Sequence, residues 1–328
     1  MKKGLLASLV LICLFAGSAL VADFGPTAEG TDHSNRAASA EAVSPSNAYL
    51  DKQWALVKTN WLQAWPLTLD SPDVLVAVLD TGIDRDHKDL VGKVVAEVNF
   101  SHSPVVDDLH GHGTHIAGII AADMDNSIGI AGAAPGRLIM NVKVADDRGR
   151  CDAAAIADGI VWAVDRGANI LNISLSLSEP SEALEEAIAY AWSHGAIIIA
   201  AAGNNGNSAP QYPAYYSQVI AVTATSEDDS RMPLASYGDW VDVAAPGYQI
   251  YSTLPDNEYG YKTGTSQAAA YVAGLAVFLY SIATDSDGDG WVNDEVRTAI
   301  ENSSQQIDGS GMGNGLVDWA EAIAQLDT

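Results

Sequence analysis

Ser266 has the sequence surroundings of a catalytic nucleophile. It lies in the block 264–268, Gly-Thr-Ser-Gln-Ala, just before a long apolar stretch that predicts a helix. A serine hydroxyl is a weak nucleophile at neutral pH. Hydrolytic chemistry at Ser266 therefore needs a base, a group that orients the base, and hydrogen-bond donors for the oxyanion. The sequence offers a residue of the right type for each of these roles.

Three such residues lie at the ends of predicted elements. Asp80 ends the apolar run 74–80, which predicts a buried parallel strand. His112 stands in a glycine-rich segment before a predicted helix, and imidazole titrates near neutral pH. Asn204 ends a second apolar run, 196–204, with an amide that can donate to an oxyanion. Because chemistry in open α/β sheets gathers at the carboxyl ends of the strands, we expect these side chains to meet there.

The four segments, in the chain order Asp, His, Asn and Ser, resemble the subtilisin-like serine proteases (subtilases, peptidase family S8) and among them the thermitase-like members. The resemblance runs from about Asn47 to the C-terminus, and segments 212–216 and 243–247 share it. It implies a serine endopeptidase that acts on proteins or peptides through an acyl-enzyme. The residues implied as catalytic are Asp80, His112, Ser266 and Asn204.

The resemblance also implies where the substrate binds. Family members pair an extended substrate with a segment of sequence Ser-Leu-Gly, which here reads Ser-Leu-Ser and ends at Ser176. The extra hydroxymethyl group predicts a narrower S1 cleft and a preference for smaller P1 residues. The residues implied for substrate binding are Ser174, Leu175, Ser176 and Gly203.

The segment after Ser266 departs from the family pattern. Family members carry Met, Pro and His where this chain has Gln267, Ala270 and Tyr271. The loss of a thioether beside the nucleophile predicts activity that tolerates peroxide. The altered helix entry keeps a second interpretation open, in which the domain is a weakly active or inactive peptide-binding module.

The histidines allow a third interpretation. His110, His112 and His115 lie close in sequence, and such a cluster is compatible with a metal-dependent hydrolase. We expect His115 to be a packing residue of the predicted helix and His110 to line the cleft. His87 and His194 are expected at the surface.

Calcium is expected at two places. By resemblance, Asp89 and the loop 126–130 match the family's strong calcium site, in which carboxylate, amide and backbone oxygens are the ligands. Asn47 stands where many relatives use Asp, which lowers the ligand charge. The ligands implied at this site are Asp89, Asn126, Ile128 and Ile130.

The second calcium site is predicted from the residues themselves. Segment 285–295 places oxygen ligands at alternating positions around a glycine turn, as EF-hand-type loops do. The bidentate acid of such a loop belongs at position 12, which is Val296 here, so Glu295 falls one residue early. Close aspartates repel one another unless a cation is bound. The predicted ligands of this insertion, which we expect to brace the preceding helix, are Asp285, Asp287, Asp289, Asn293 and Glu295.

Composition limits the other classes. The 328 residues are 48% hydrophobic and 18% charged, which suits one large α/β domain. A formal net charge of −26 disfavours nucleic-acid binding. After removal of a signal peptide only Cys151 would remain, so no disulfide within the chain is expected, and with no base evident beside it we expect a structural thiol.

The N-terminal segment predicts export. Residues 1–22 have the charged start and apolar core of a signal peptide, which predicts a secreted or periplasmic protein. Contact with a membrane is expected only if this segment stays uncleaved. Residues 23–46 predict a flexible leader that is too short to fold as a domain.

Apolar runs alternate with amphipathic stretches over residues 47–328. The predicted strands are 74–79, 138–144, 170–175, 196–202, 219–224 and 241–244. The predicted helices are 112–122, 153–166, 181–194, 265–280, 294–302 and 319–326. This alternation predicts a single, monomeric α/β domain, a three-layer sandwich with a mostly parallel central sheet and helices on both faces.

Overall fold

A computed structural model of the protein describes residues 45–64 and 74–326. The predicted signal peptide, and the leader up to residue 44, lie outside the described residues. The strands in chain order are β1 (Val76–Asp80), β2 (Val94–Asn99), β3 (Ile139–Lys143), β4 (Ile170–Ile173), β5 (Ile197–Ala201), β6 (Val219–Thr225) and β7 (Val243–Pro246). They form a parallel sheet in the order β2-β3-β1-β4-β5-β6-β7. Strands β8 (Ile250–Leu254) and β9 (Glu258–Lys262) form a separate antiparallel hairpin.

Helices cover both faces of the sheet. They are α1 (Trp54–Lys58), α2 (Trp61–Ala64), α3 (His112–Ala121), α4 (Ala153–Val164), α5 (Glu182–Ser193), α6 (Thr265–Ile282), α7 (Asn293–Asn302) and α8 (Trp319–Leu326). Helices α3 and α6 belong to one apolar core, and α4 and α5 belong to the other. Because successive side chains of a strand point to opposite faces, Val76 and Val78 of β1 enter the first core while Ala77 and Leu79 enter the second. The predicted three-layer α/β sandwich is confirmed.

Helix α6 is the central helix of the first core. Of the helices in the described part of the chain, it is the one whose length and composition would allow it to cross a membrane, yet 83% of it is buried inside the protein. It packs against α3 and the strands β4 to β7. Its apolar character is therefore explained by burial, and it delivers its first turn to the carboxyl edge of the sheet.

The predicted elements are present, with ends shifted by a few residues, and several others escaped prediction. Strand β2 lies at the edge of the sheet and is only half-buried, so it lacks the continuous apolar run of the central strands. The β8–β9 hairpin carries no continuous apolar run, and it turns at residues 255–257. Asp256 and Asn257 both adopt positive φ there, as tight hairpin turns require. The Pro-Asp-Asn sequence was the signal for this turn.

Candidate active site

Asp80 and His112 are joined by a hydrogen bond at the carboxyl edge of the sheet. Asp80 ends β1 and is 1% exposed, and His112 begins α3. The Nδ1–H group of His112 donates to Oδ1 of Asp80 at 2.7 Å. Gly113 allows this approach, because a Cβ there would lie 2.1 Å from the carbonyl oxygen of Gly82. With the proton on Nδ1, the Nε2 atom of His112 is left as a proton acceptor.

The environment of His112 favours its charged form. Burial is the largest single influence and by itself would lower the pKa of His112. Attraction to the Asp80 carboxylate, together with their hydrogen bond, outweighs burial and raises the pKa above its ordinary value. Lys262 opposes this rise and Asp108 adds to it.

Asp108 organises the chain in front of α3 and was not singled out from the sequence. Its carboxylate is buried and accepts backbone hydrogen bonds from His110, Gly111 and Thr114 at 2.8 to 3.1 Å. It also accepts from the hydroxyls of Thr114 and Thr81 at 2.7 and 2.8 Å. An acidic group at a helix N-terminus satisfies free N–H groups and interacts favourably with the helix dipole. Asp108 thereby fixes the start of the helix that carries His112.

Ser266 is the second residue of α6 and is 6% exposed. Its hydroxyl donates to the carbonyl of Ser174 at 3.1 Å, and the hydroxyl of Ser174 donates back to the carbonyl of Ser266 at 3.2 Å. Among the described residues, the Ser266 hydroxyl is hydrogen-bonded to this carbonyl and not to His112. The backbone N–H of Ser266 belongs to the first turn of α6, where N–H groups have no partner within the helix.

Asn204 lies beside this first turn. Its Oδ1 accepts the backbone N–H of Thr265 at 3.0 Å, so its amide N–H₂ group is left free to donate. The hydroxyl of Thr265 in turn accepts the backbone N–H of Gly203 at 3.1 Å. The residues after β5 are thus tied to the start of α6, with the Asn204 amide held near Ser266.

The predicted substrate residues lie after two neighbouring strands. Ser174, Leu175 and Ser176 follow β4, and Gly203 follows β5, which pairs with β4. Gly203 has φ +93°, and a Cβ there would lie 3.4 Å from Oγ of Ser176. The same Cβ would lie 3.0 Å from Cγ of Gln211, which is 4% exposed. Gln211 therefore fills space between the two walls of this cleft. Its place before segment 212–216 is the one signal in the sequence that could have pointed to it.

His115 is a buried packing residue, as predicted. Its Nε2 lies 3.1 and 3.2 Å from the carbonyls of Ile250 and Gly260, so it donates its proton to the hairpin. Burial lowers the pKa of His115 to about 3, which keeps the ring neutral. Its Nδ1 then accepts from the buried Gln267 amide at 3.5 Å. His115 is thus engaged on both ring nitrogens.

The surface prediction for His87 is wrong, because its side chain is fully buried against the hairpin. Its Nε2 lies 3.1 Å from the carbonyl of Glu258, and its Nδ1 accepts the backbone N–H of Asp89 at 3.1 Å. His110 and His194 are exposed. Cys151 is half-buried, and burial raises its pKa to about 11, so it is a thiol at neutral pH.

The first predicted calcium site is an oxygen cage. Nδ2 of Asn47 lies at its centre, 3.0 to 3.2 Å from the carbonyls of Asp123, Ile128 and Ile130 and from Oδ1 of Asn126. An amide has two hydrogens and cannot satisfy four acceptors. Asp89 accepts the N–H of Ile130 through Oδ2, while its Oδ1 is buried without a hydrogen-bond partner. This excess of oxygen atoms fits a hard cation. The Asp123 carbonyl is a further oxygen ligand that the sequence did not indicate.

The second predicted site brings only some of its residues together. Carboxylate oxygens of Asp285, Asp287 and Asp289 lie within 4.8 Å of one another on an exposed loop. Glu295 is outside this group, because its Oε1 accepts the N–H and hydroxyl of Ser286 at 2.6 and 2.7 Å. Asn293 is buried and its amide donates to the carbonyl of Trp192 at 3.1 Å. In the described part of the chain, these three aspartates are the one group of three or more acidic, histidine or cysteine side chains able to share a metal.

The chain is similar to known proteins in both sequence and fold. The Subtilase family (peptidase S8) matches residues 71–316. Thermitase of Thermoactinomyces vulgaris is 42% identical over 270 residues, which are 82% of this chain and 94% of thermitase. The thermophilic serine proteinase of Bacillus sp. (strain AK1) is 43% identical over 270 residues, 81% of this chain and 62% of that protein. Among solved structures, a protease from Pseudoalteromonas arctica PAMC 21717 superposes with a TM-score of 0.77 at 27% identity, covering 85% of this chain and 98% of that chain.

The fold and the site define a hydrolase of the serine protease class. The chain belongs to the subtilase family. The resemblance drawn from the four motifs is therefore confirmed, as are the predicted fold class and the predicted class of enzyme.

Proposed function

We propose that the chain is a secreted, calcium-stabilised endopeptidase whose nucleophile is Ser266, with His112 as general base and Asp80 as the group that orients it. The observation that carries this proposal is the 2.7 Å hydrogen bond between His112 and Asp80, which leaves Nε2 as the proton acceptor. The nucleophile stands at the start of α6, at the same edge of the sheet.

Acylation begins when the Ser266 hydroxyl exchanges the Ser174 carbonyl for Nε2 of His112. Such hydrogen bonds commonly tighten only when substrate is bound. His112 takes the hydroxyl proton as Ser266 attacks the scissile carbonyl, and Asp80 stabilises the imidazolium that forms. His112 then gives the proton to the leaving amine, and water hydrolyses the acyl-enzyme.

The oxyanion is stabilised by two donors, the side-chain amide of Asn204 and the backbone N–H of Ser266. The contact from Thr265 to Oδ1 of Asn204 supports this role, because it fixes which end of the amide is free to donate. Donors that are already oriented cost no reorganisation when charge develops. The N-terminus of α6 adds the favourable end of its dipole.

Substrate binding is assigned to the cleft between Ser174–Ser176 and Gly203. The Ser176 hydroxyl and the Gln211 side chain both approach Gly203, which supports a narrow S1 cleft and smaller P1 residues. Profiling the cleavage of a peptide library by the protein, beside a Ser176→Gly variant, tests this assignment. We expect the variant to accept larger P1 residues.

Calcium is assigned to the oxygen cage, and the orphaned Oδ1 of Asp89 supports it. The residues that would hold the ion are Asp89, Asn47, Asp123, Asn126, Ile128 and Ile130. Asn47 would present its side-chain oxygen in place of its nitrogen. The ion supplies structural cross-linking and takes no part in the chemistry. The exposed loop 285–290 is assigned a second calcium ion through its three aspartates.

Labelling with a fluorophosphonate probe tests the nucleophile. The protein should label and hydrolyse casein, whereas Ser266→Ala should do neither while keeping its melting temperature. Ser281→Ala, which alters a serine in the last turn of the same helix, serves as the matched control and should label normally. Substantial hydrolysis by Ser266→Ala would rule out this assignment.

The same experiment separates the alternatives. A peptide-binding module would bind peptides without labelling, and a metal-dependent hydrolase would hydrolyse casein without labelling. The binding-module interpretation was motivated by Gln267 and Tyr271, which the structure accommodates in the core. The histidine cluster gives the metal-dependent interpretation little support, because His112 binds Asp80 and His115 binds the hairpin.

A further inference from the structure

Lys262 is a cation close to the active site in the chain. It ends β9, is half-buried, and precedes Ser266 by four residues. The sequence has 42 Asp and Glu against 16 Lys and Arg, so a cation in this protein has many potential partners. Lys58, Lys93 and Arg297 are paired with carboxylates. Within the described residues, no such ion pair involves Lys262.

The hairpin places Lys262 on the His112 side of the nucleophile. In the β8–β9 register, Lys262 is paired with Ile250. The carbonyls of Ile250 and Gly260 accept the Nε2–H group of His115, so this end of the hairpin is held against α3, the helix that begins with His112. In keeping with this placement, the positive charge of Lys262 acts to lower the pKa of His112.

The positions of the acyl part and the leaving group of the substrate indicate which substrate residue lies near Lys262. In the proposed function, the acyl part of the substrate occupies the cleft formed after β4 and β5. The leaving amine departs toward His112, which protonates it. The first residue of the leaving group, P1′, therefore lies on the side of the hairpin. An unpaired ammonium there attracts a carboxylate and repels a basic side chain.

We propose that Lys262 is a specificity-determining residue that selects substrates with Asp or Glu at P1′. This inference rests on the proposed endopeptidase function. The attraction acts between partly solvated groups, so its size is that of a half-exposed ion pair, about two- to fivefold in kcat/KM. It should weaken as salt screens the two charges.

Two quenched-fluorescence peptides that differ only by Glu or Gln at P1′ test the proposal. The wild-type protein should cleave the Glu peptide about two- to fivefold faster in kcat/KM at low salt. Lys262→Gln should bring the ratio close to one, and Lys262→Glu should bring it below one, so that the Gln peptide is cleaved faster. Lys88→Gln removes an exposed lysine that lies over the Tyr259 ring of the same hairpin, and it should leave the ratio unchanged.

A pH profile gives a second readout. The charged and titratable groups around His112 are Asp80 on β1, Asp108 and His110 before α3, His115 on α3 and Lys262 on β9. Lys262 disfavours the imidazolium, so Lys262→Gln should move the acid limb of kcat/KM to higher pH. Lys88→Gln should leave that limb in place.

The outcomes distinguish a failure of the Lys262 role from a failure of the proposed endopeptidase function. Equal cleavage of both peptides by the wild type, or an unchanged ratio in Lys262→Gln, overturns the role of Lys262 and leaves the endopeptidase assignment intact. Absence of cleavage together with absence of fluorophosphonate labelling overturns the proposed function, and the role of Lys262 with it.

Discussion

At the scale of the residue, the Asp80–His112 pair sets how the site responds to pH. A base must be neutral to accept the serine proton, and attraction to Asp80 raises the pKa of His112 above its ordinary value of 6.5. We expect the acid limb of kcat/KM above pH 6.5. The same shift means that the charged pair stabilises the fold fully below the pKa of unfolded histidine, and that this stability is lost as pH rises through the folded pKa. Melting temperatures of Ser266→Ala measured against pH check the second effect.

Replacing Asp80 by Asn tests the orienting role directly. The amide keeps the shape of the side chain but removes the charge that holds the His112 tautomer. In other serine proteases, loss of this group lowers kcat by about 10⁴-fold. We expect a loss of that order in Asp80→Asn, measured by steady-state kinetics. Asp86→Asn, an exposed position in the following loop, should keep kcat within about twofold.

Gln267, next to the nucleophile, bears on how well the activity resists oxidation. It is 1% exposed and contacts His115. Because this residue is Gln and not Met, the position next to the nucleophile carries no oxidisable sulfur. We expect the protein to keep its activity in dilute hydrogen peroxide while Gln267→Met loses activity over the same time. Residual activity after timed peroxide exposure measures this. Rapid inactivation of the wild type, mapped by mass spectrometry to the active site, would contradict it.

At the scale of the element, α3 depends on one buried carboxylate. Asp108 accepts five hydrogen bonds from the segment that begins α3 and from Thr81 beside Asp80. Removing it leaves several donors unsatisfied at the end of the helix. The position of His112 is therefore set by the whole turn before α3 as well as by its contact with Asp80.

We expect Asp108→Ala to lower the free energy of unfolding by about 3 kcal/mol, since truncation strands buried polar groups. It should lower kcat more than it raises KM, because His112 loses its exact placement and the cleft stays intact. Chemical denaturation and steady-state kinetics measure the two effects. The neighbouring exposed Asp107→Ala is the control, and equal effects of the two substitutions would argue against a positioning role for Asp108.

At the scale of the whole molecule, bound cations and net charge are coupled. The formal charge of −26 makes the folded chain repel itself, and the oxygen cage and the three-aspartate loop each concentrate negative charge or carbonyl dipoles. A cation that binds only the folded state raises stability by mass action. Stability should therefore depend on calcium more than on any single surface ion pair.

We expect the wild type and two variants to differ in how much calcium raises their melting temperatures. Added calcium should raise the melting temperature of the wild type, and Asp89→Asn should remove most of that increase because the cage loses its carboxylate. Asp287→Ala should remove a smaller part, because its loop is exposed. Differential scanning calorimetry with and without chelator measures both, with Asp158→Asn on α4 as a control. An identical calcium response in all variants would exclude both sites.

The fold class and the four motif residues could be predicted from local sequence patterns. Its apolar runs end at Asp80 and near Asn204, and parallel strands with covered faces bring such ends to one edge. Local patterns specify this much because burial on both faces of a strand leaves a continuous apolar signature. Strand β2 and the hairpin lack that signature, since each is partly exposed, and they were missed.

The contacts between polar groups on different loops depend on the three-dimensional packing of the chain. Asp108 and Thr81 are 27 positions apart in the chain, and Asn47 and Asp123 are 76 positions apart. These contacts, and the approach of Gln211 to Gly203, depend on how loops fold over the sheet edge. The burial of His87 is of the same kind, because the hairpin that covers it is formed by residues more than 150 positions later. A single sequence carries no local signal for such contacts, because they are set by packing between elements.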